Sequence, residues 1–273
     1  MAPKSILALN FTPDIDACDP FIRNGGSLVK YAPLPCHRKQ GRIYTLGLTA
    51  AANPDDDEIS VYISAADPVE ADPIIYLEEG LKLYFSAAPN TAPYFEAVVE
   101  ETMMVSGMGT GNAINLPVSP LASGIAAAAT ADTWAMLSLI QPTDIPLADT
   151  TAMVEGTNLR DGMQFTQYKV GLEKASQIAV DLRPDDIAFW KHVYPGTQDN
   201  RRLFAYIFRP IGMHVWGPCQ VSNHNLPGQI KEGHRGQYQH NWQPPYAAPT
   251  LKEYLEEADQ VAALERAIRL AGL

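Results

Sequence analysis

The sequence predicts a mainly β protein, a sandwich or barrel with a short flanking helix, an extended N-terminal arm and a C-terminal helix. Three observations predict it. Apolar residues alternate with polar ones in short runs, Pro and Gly turn signals separate the runs, and a proline-rich stretch sets off one amphipathic segment at the end. With 273 residues and 46% hydrophobic side chains the chain can bury a real core, which excludes a wholly disordered protein.

Residues 1–58 are expected to form an irregular arm. Pro13, Pro20, Pro33 and Pro35 interrupt it and Asn24-Gly25-Gly26 supplies a turn, so it is a tail with short strands or an extension that orders against a neighbouring subunit. A β domain is expected over 59–246. It opens with Ile59, Val61 and Ile63 alternating against Ser60, Tyr62 and Ser64, a run that Asp67-Pro68 and Asp72-Pro73 end. Further strands are expected over Leu81–Phe85, after the Glu79-Gly80 turn, and over 95–105. The alanine-rich stretch Ala122–Ala131 could make one short helix, which Gly124 and Thr130 limit.

From Asn158 the pattern is clearer. Phe165–Val170 and Ile178–Leu182 are strand candidates, and Pro184-Asp185-Asp186 opens a helix that Pro195-Gly196 stops, with Ile187, Trp190 and Val193 or Tyr194 on the face expected to pack on a sheet. The run from Arg201 to Arg209 is apolar at successive positions, which suits a central strand. Met213–Trp216 returns, and Tyr238, His240 and Trp242 alternate in a last strand. After Pro244-Pro245 and Pro249, residues 247–273 are expected to hold an amphipathic helix. Thr250-Leu251-Lys252-Glu253 is its capping box, and Leu251, Leu255, Ala258, Val261, Leu264 and Ile268 form its stripe. It either folds back on its own domain or docks on a neighbour.

The loop Ser106-Gly107-Met108-Gly109-Thr110-Gly111 has the glycines of an anion cradle but lacks the Lys-Ser/Thr of a phosphate loop and the GxGxxG spacing, so a flexible hairpin tip is expected. Five of the six histidines fall between His192 and His240. His214, Cys219, His224, His234 and His240 offer zinc-ligand chemistry, and Cys219 with His224 offers a nucleophile and base, but no HExxH, HxxxH or CxxC spacing orders them. Surface or interface histidines are the expectation: no catalytic residue, no cofactor and no metal.

The net charge of −11 opposes docking on nucleic acid or anionic membrane through a basic face. That charge is unevenly placed. Residues 1–42 sum to +3, residues 43–159 carry sixteen acids against Lys82 alone, and residues 160–273 sum to +1. Three cysteines, Cys18, Cys36 and Cys219, are too few for a disulfide scaffold, and no signal-peptide pattern or membrane-spanning apolar run occurs. A reducing compartment is expected and no membrane partner.

The series Ile114-Asn115-Leu116-Pro117-Val118-Ser119-Pro120-Leu121, then Asp144-Ile145-Pro146-Leu147 and Val154-Glu155-Gly156-Thr157-Asn158-Leu159-Arg160-Asp161-Gly162, resembles the major tail tube proteins of long-tailed, siphovirus-like bacteriophages. The later order is similar too: a strand pair, a short helix over Asp185–Tyr194, a strand ending in Arg209-Pro210-Ile211-Gly212, then Val221-Ser222-Asn223 and a closing strand. The likeness covers roughly residues 59–246.

The resemblance implies a tail-tube-like β-sandwich or barrel whose sheets join between subunits in a ring, usually a hexamer. Rings stack into a tube that passes double-stranded DNA without specific binding, and loops and terminal arms link the rings. The partners implied are copies of itself and other tail proteins, and the place is the virion tail, assembled in the host cytoplasm. The long N-terminus and the last helix depart from the simplest pattern and leave open another tail, neck or capsid-decorating protein. A channel that does not hold DNA should avoid a basic wall, which makes Asp55, Asp56, Asp57, Glu58, Glu78, Glu79, Glu96, Glu100 and Glu101 candidates for the lumen or its mouth. A metal-dependent hydrolase using the C-terminal histidines is the competing class.

Overall fold

The computed structural model describes residues 28–35, 41–88, 91–140, 142–144, 147–148, 152–155, 168–171, 174–181, 185–195, 202–209, 213–225, 235–242 and 258–273. The fold is mainly β, and its strands, β1 to β18 in chain order, pair antiparallel.

Alternation builds the first body. In β3 (Glu58–Asp67) Ile59, Val61 and Ile63 are buried, while Ser60, Tyr62 and Ser64 lie half-buried on the opposite face. The parity then slips. Against β2 (Ile43–Leu48), Thr45 pairs with Ala65 but Leu46 pairs with Ile63, so Ser64 bulges and donates its hydroxyl to the Thr45 carbonyl at 2.9 Å. Ala66, not Ala65, therefore turns into the core.

Around that pair the order is β8 (Ile114–Pro117), β3, β2, β9 (Thr130–Thr133). Two further ladders, β4 (Ile74–Leu77) with β7 (Met103–Ser106) and β5 (Lys82–Phe85) with β6 (Phe95–Val98), enclose a core that includes Leu46, Val61, Leu77, Leu83, Phe85 and Leu116. Bridges from Val99 to Val118 and from Ser86 to Thr130 link these sheets, but among the described residues no sheet closes into a barrel.

The second body is an eight-stranded sheet. Its order is β10 (Leu137–Ser138), β1 (Leu28–Pro33), β16 (Arg202–Arg209), β17 (Met213–Asn225), β18 (Arg235–Trp242), β15 (Lys174–Asp181) and β11 (Pro142–Asp144), with β12 (Leu147–Ala148) also on β15. The unbroken apolar run of β16 has a simple cause: both of its faces are covered. Leu203, Ala205 and Ile207 pack with Val29, Tyr31 and Phe189, while Phe204 and Tyr206 pack with Trp134, Leu270 and Ala271. β13 (Ala152–Glu155) and β14 (Tyr168–Gly171) pair with each other.

Several elements depart from the expected layout. Leu28–Pro33 and Ile43–Leu48, inside the segment expected to be an irregular arm, are strands central to the two bodies, because long-range pairing to β16 and β3 outweighs the prolines around them. The strand expected over 95–105 is two strands, parted at Glu100–Thr102 where the chain leaves β5 for β4. The alanine-rich stretch makes no helix: Ala128 takes φ 67° and Ala129 donates to Ala126 in a turn, before Thr130 enters β9.

The short helix is present over 187–195, with a π-helical turn at Phe189–Val193. Its buried face is Ala188, Phe189 and Val193, so Val193 of the expected face is in the core, whereas Ile187 and Trp190 of that face are 43% and 41% exposed. The wider π turn rotates the side chains away from 3.6-residue spacing. Asp186 caps the segment, accepting the Phe189 N–H at 2.9 Å.

The C-terminal helix is described over Ala258–Ala271; the capping box at 250–253 and the stripe residues Leu251 and Leu255 lie outside the described residues. It folds back on its own chain. Leu264 and Ile268 of the expected stripe are buried, Ala267, Leu270 and Ala271 enter the core beside Phe204, and the Leu270 carbonyl accepts the Trp134 N–H at 2.8 Å. The Leu273 carbonyl oxygen accepts the Tyr84 hydroxyl at 2.8 Å, so the same helix end touches both bodies.

Candidate functional site: an acidic edge

Seven of the nine candidate acids of the middle segment are brought to one end of the first body by hydrogen bonds donated by main-chain N–H groups. Asn53 donates to the Asp56 carboxylate at 2.7 Å, a local turn that places Asp55 at φ 69°. Asp55 N–H then bonds Leu121, Val118 N–H bonds Asp57 at 2.9 Å, and Glu58 pairs with Pro117. Pro117 accepts the Glu100 N–H at 3.0 Å, Gly80 donates to Val99 at 2.8 Å, and Glu79 donates its N–H to Thr102 Oγ1 at 3.0 Å.

Asp55, Asp57, Glu58, Glu79, Glu100 and Glu101 are exposed along this edge, and Asp56 is half-buried in its turn. Three separate parts of the sequence thus converge on one rim. At physiological salt the field of such a rim decays over about 8 Å, so it acts on what comes close to it.

Two of the candidate acids are engaged elsewhere. Glu96 on β6 pairs with Lys82 at 3.4 Å. Glu78 turns toward the second body, where its carboxylate accepts the Ser138 N–H at 3.0 Å and the Ser138 hydroxyl at 2.7 Å and lies 3.8 Å from Lys30 Nζ. Lys30 is buried, and burial lowers its pKa against the opposing pull of Glu78. No periodic pattern signals this pair, because Lys30 occupies a strand position whose neighbours Val29 and Tyr31 are core.

The glycine-rich loop is a crossover and not a hairpin tip, since β7 pairs with β4 and β8 with β3. Two of its N–H groups are used within the fold: Gly107 donates to Pro73 and Gly109 to Ile63, both at 2.9 Å, with φ of 74° and 89° that suit glycine. Those two donors therefore do not face an anion.

His214 is buried with Nδ1 2.6 Å from the Tyr206 hydroxyl, and burial lowers its pKa to about 4. His192 is lowered to about 4 by burial and by Lys191. Cys219 is a buried thiol whose pKa burial raises. The His224, His234 and His240 side chains lie outside the described residues, and among the described residues no group of three His, Cys, Asp or Glu side chains is placed to hold a metal ion. No helix among them is long and apolar enough to cross a membrane.

No family model matches the sequence, and no curated protein matches it. Among solved structures, a chain from the tail of an empty GTA particle, refined with C6 symmetry, is similar at a TM-score of 0.32 and 10% identity, covering 42% of this chain and 87% of that one. A TM-score of that size does not define a common fold. The class of protein follows from the chain itself: a mainly β, two-body protein with a clustered acidic edge.

Proposed function

We propose that this chain is a structural protein of a phage tail, assembling with copies of itself into stacked rings that form a tube for DNA. The observation that carries the proposal is the convergence of Asp55, Asp57, Glu58, Glu79, Glu100 and Glu101 on one exposed rim. A channel for a polyanion must pass it without gripping it, and each cationic contact to a phosphate would add a salt-dependent hold. A carboxylate rim at the lumen or its mouth repels instead. The sequence resemblance to tail tube proteins supports the same reading, as does an architecture of antiparallel sheets with strand edges able to continue into a neighbour.

Negative-stain imaging of the purified chain at high concentration tests it. Rings or tubes are the expected result. Uniform small monomers would overturn the assembly, and a channel lined by Lys and Arg with the named acids outside would overturn the role of the rim.

A further inference from the structure

We propose that Lys30 is a covalent ligand site: its amine, on the floor of a cleft between the two bodies, captures a small apolar aldehyde as an imine.

The strand fixes where the amine stands. Lys30 lies in the middle of β1, with Tyr206 of β16 opposite it on one side and Ser138 of β10 on the other. Its neighbours Val29 and Tyr31 enter the core of the second body, so Lys30 projects from the opposite face of the sheet. That face borders a cleft of about 710 Å³, which Lys30 lines although its side chain is only 5% exposed. A long, flexible side chain is thereby held at one place.

The cleft selects the class of ligand. Leu28, Leu137, Leu139, Ile140 and Ile187 give it apolar walls, and Ile140 and Ile187 are each 43% exposed at its margin. Charges of both signs line it as well, Lys30 and Lys82 against Glu78, Glu79 and Asp185. A phosphate or carboxylate would meet three acids there, so an uncharged, largely apolar molecule fits better. Apolar walls with a few placed polar groups are the usual make-up of a small-molecule site.

The chemistry follows from the amine and its neighbour. An exposed lysine is almost wholly ammonium near neutral pH and therefore a poor nucleophile. Burial lowers the Lys30 pKa against the opposing pull of Glu78, which raises the share of free amine. Glu78 Oε2 lies 3.8 Å from Nζ and is held in place by the Ser138 hydroxyl at 2.7 Å. It takes one proton from the ammonium, directly or through one water, and the freed lone pair adds to the carbonyl carbon. A second nitrogen proton moves to the former carbonyl oxygen. Glu78 then returns its proton to that hydroxyl, which leaves as water while the C=N bond forms. An ammonium and an aldehyde become a protonated imine and water, with no change in oxidation state. The site lies within one chain and does not depend on the assembly proposed above.

The test treats the folded, full-length protein with a limiting amount of hexanal and sodium cyanoborohydride near neutral pH. The reductant fixes each imine as a secondary amine, and peptide mass spectrometry locates it. Two lysines serve as internal comparators: Lys82, on the same cleft but paired with Glu96 at 3.4 Å, and Lys191, exposed on the short helix. The expected result is labelling of Lys30 several-fold above both, with the excess lost in denaturant. Lys30 labelled no faster than Lys191 would overturn the site, and an excess that persists in denaturant would overturn its dependence on the fold. Glycolaldehyde, small and polar, should show a weaker preference for Lys30. Ile187→Ser, at an exposed position, should lower labelling by hexanal and leave labelling by glycolaldehyde unchanged. Equal preference for the two aldehydes would overturn selection by the apolar walls.

Discussion

The hydroxyls of Tyr31 and Tyr238 meet at 2.8 Å inside the large sheet, joining β1 to β18 across the two strands between them. Burial raises both pKa values, so one neutral phenol donates to the other. Removing one partner leaves a buried polar group short of a bond, which costs about 1–2 kcal/mol, while removing both leaves neither stranded. Tyr31→Phe and Tyr238→Phe should each destabilise by about that amount in denaturant melts, and the double variant should cost clearly less than their sum. Strict additivity would show that the contact carries no coupling.

Lys30 and Glu78 give a second prediction. The Lys30 side chain is 5% exposed, and Glu78 is the acid beside it at 3.8 Å. Glu78→Ala strands a buried ammonium and frees the Ser138 donors, so a loss of about 3 kcal/mol is expected. The Lys30→Met, Glu78→Ala double variant should recover part of that loss, because it removes the charge that Glu78→Ala isolates. A double variant less stable than Glu78→Ala would refute the account.

The period-two pattern at Ile59–Ile63 and the doubly apolar run of β16 were legible in the sequence, because side-chain burial is what alternation and its absence record. β1 and β2 were hidden by the prolines and glycines around them, since their pairing partners lie far along the chain. The π turn at Phe189–Val193 hid the buried face of the short helix, because a helical wheel assumes 3.6-residue spacing. The acids of the candidate site were legible as residues. Their convergence was not, since it depends on the hydrogen bonds from Val118 to Asp57 and from Glu100 to Pro117.

Gly272 closes the C-terminal helix at φ 71°, and a Cβ there would sit 2.0 Å from Leu81 Cδ1. Gly272→Ala adds a left-handed strain of about 1 kcal/mol to a clash against a buried leucine. A total loss of about 2–3 kcal/mol is expected, seen as a fall in Tm of several degrees. An unchanged Tm would mean that the helix end is not seated between the bodies.

His214 and His192 set the acid side of the stability curve. Their folded pKa values near 4 lie below the ordinary 6.5, so between those pH values the unfolded chain binds protons that the folded chain refuses. The stability these two rings supply is therefore full above about pH 6.5, falls as the pH drops through the window, and is lost below about 4. Each histidine contributes about 3 kcal/mol at most across it. His214→Gln should remove about half of the slope owed to the pair, measured as Tm against pH. A wild-type profile flat from pH 7 to 4 would contradict the burial of both rings.

The acidic rim makes its own prediction about DNA. Asp57, Glu58, Glu100 and Glu101 are exposed, so lysine substitutions there should change stability by no more than about 0.5 kcal/mol each. If the rim faces the channel, assembled wild-type protein should not retain duplex DNA even at low salt. The variant carrying Asp57→Lys, Glu58→Lys, Glu100→Lys and Glu101→Lys should assemble, bind duplex and release it as salt rises. The slope of log K against log salt steepens by about 0.9 for every phosphate a lysine reaches, so a shallow slope would mean that few of them do. Variant assemblies that bind no more DNA than wild type would place this edge away from the path of the genome, and the carboxylates would then have to be explained by contacts between copies.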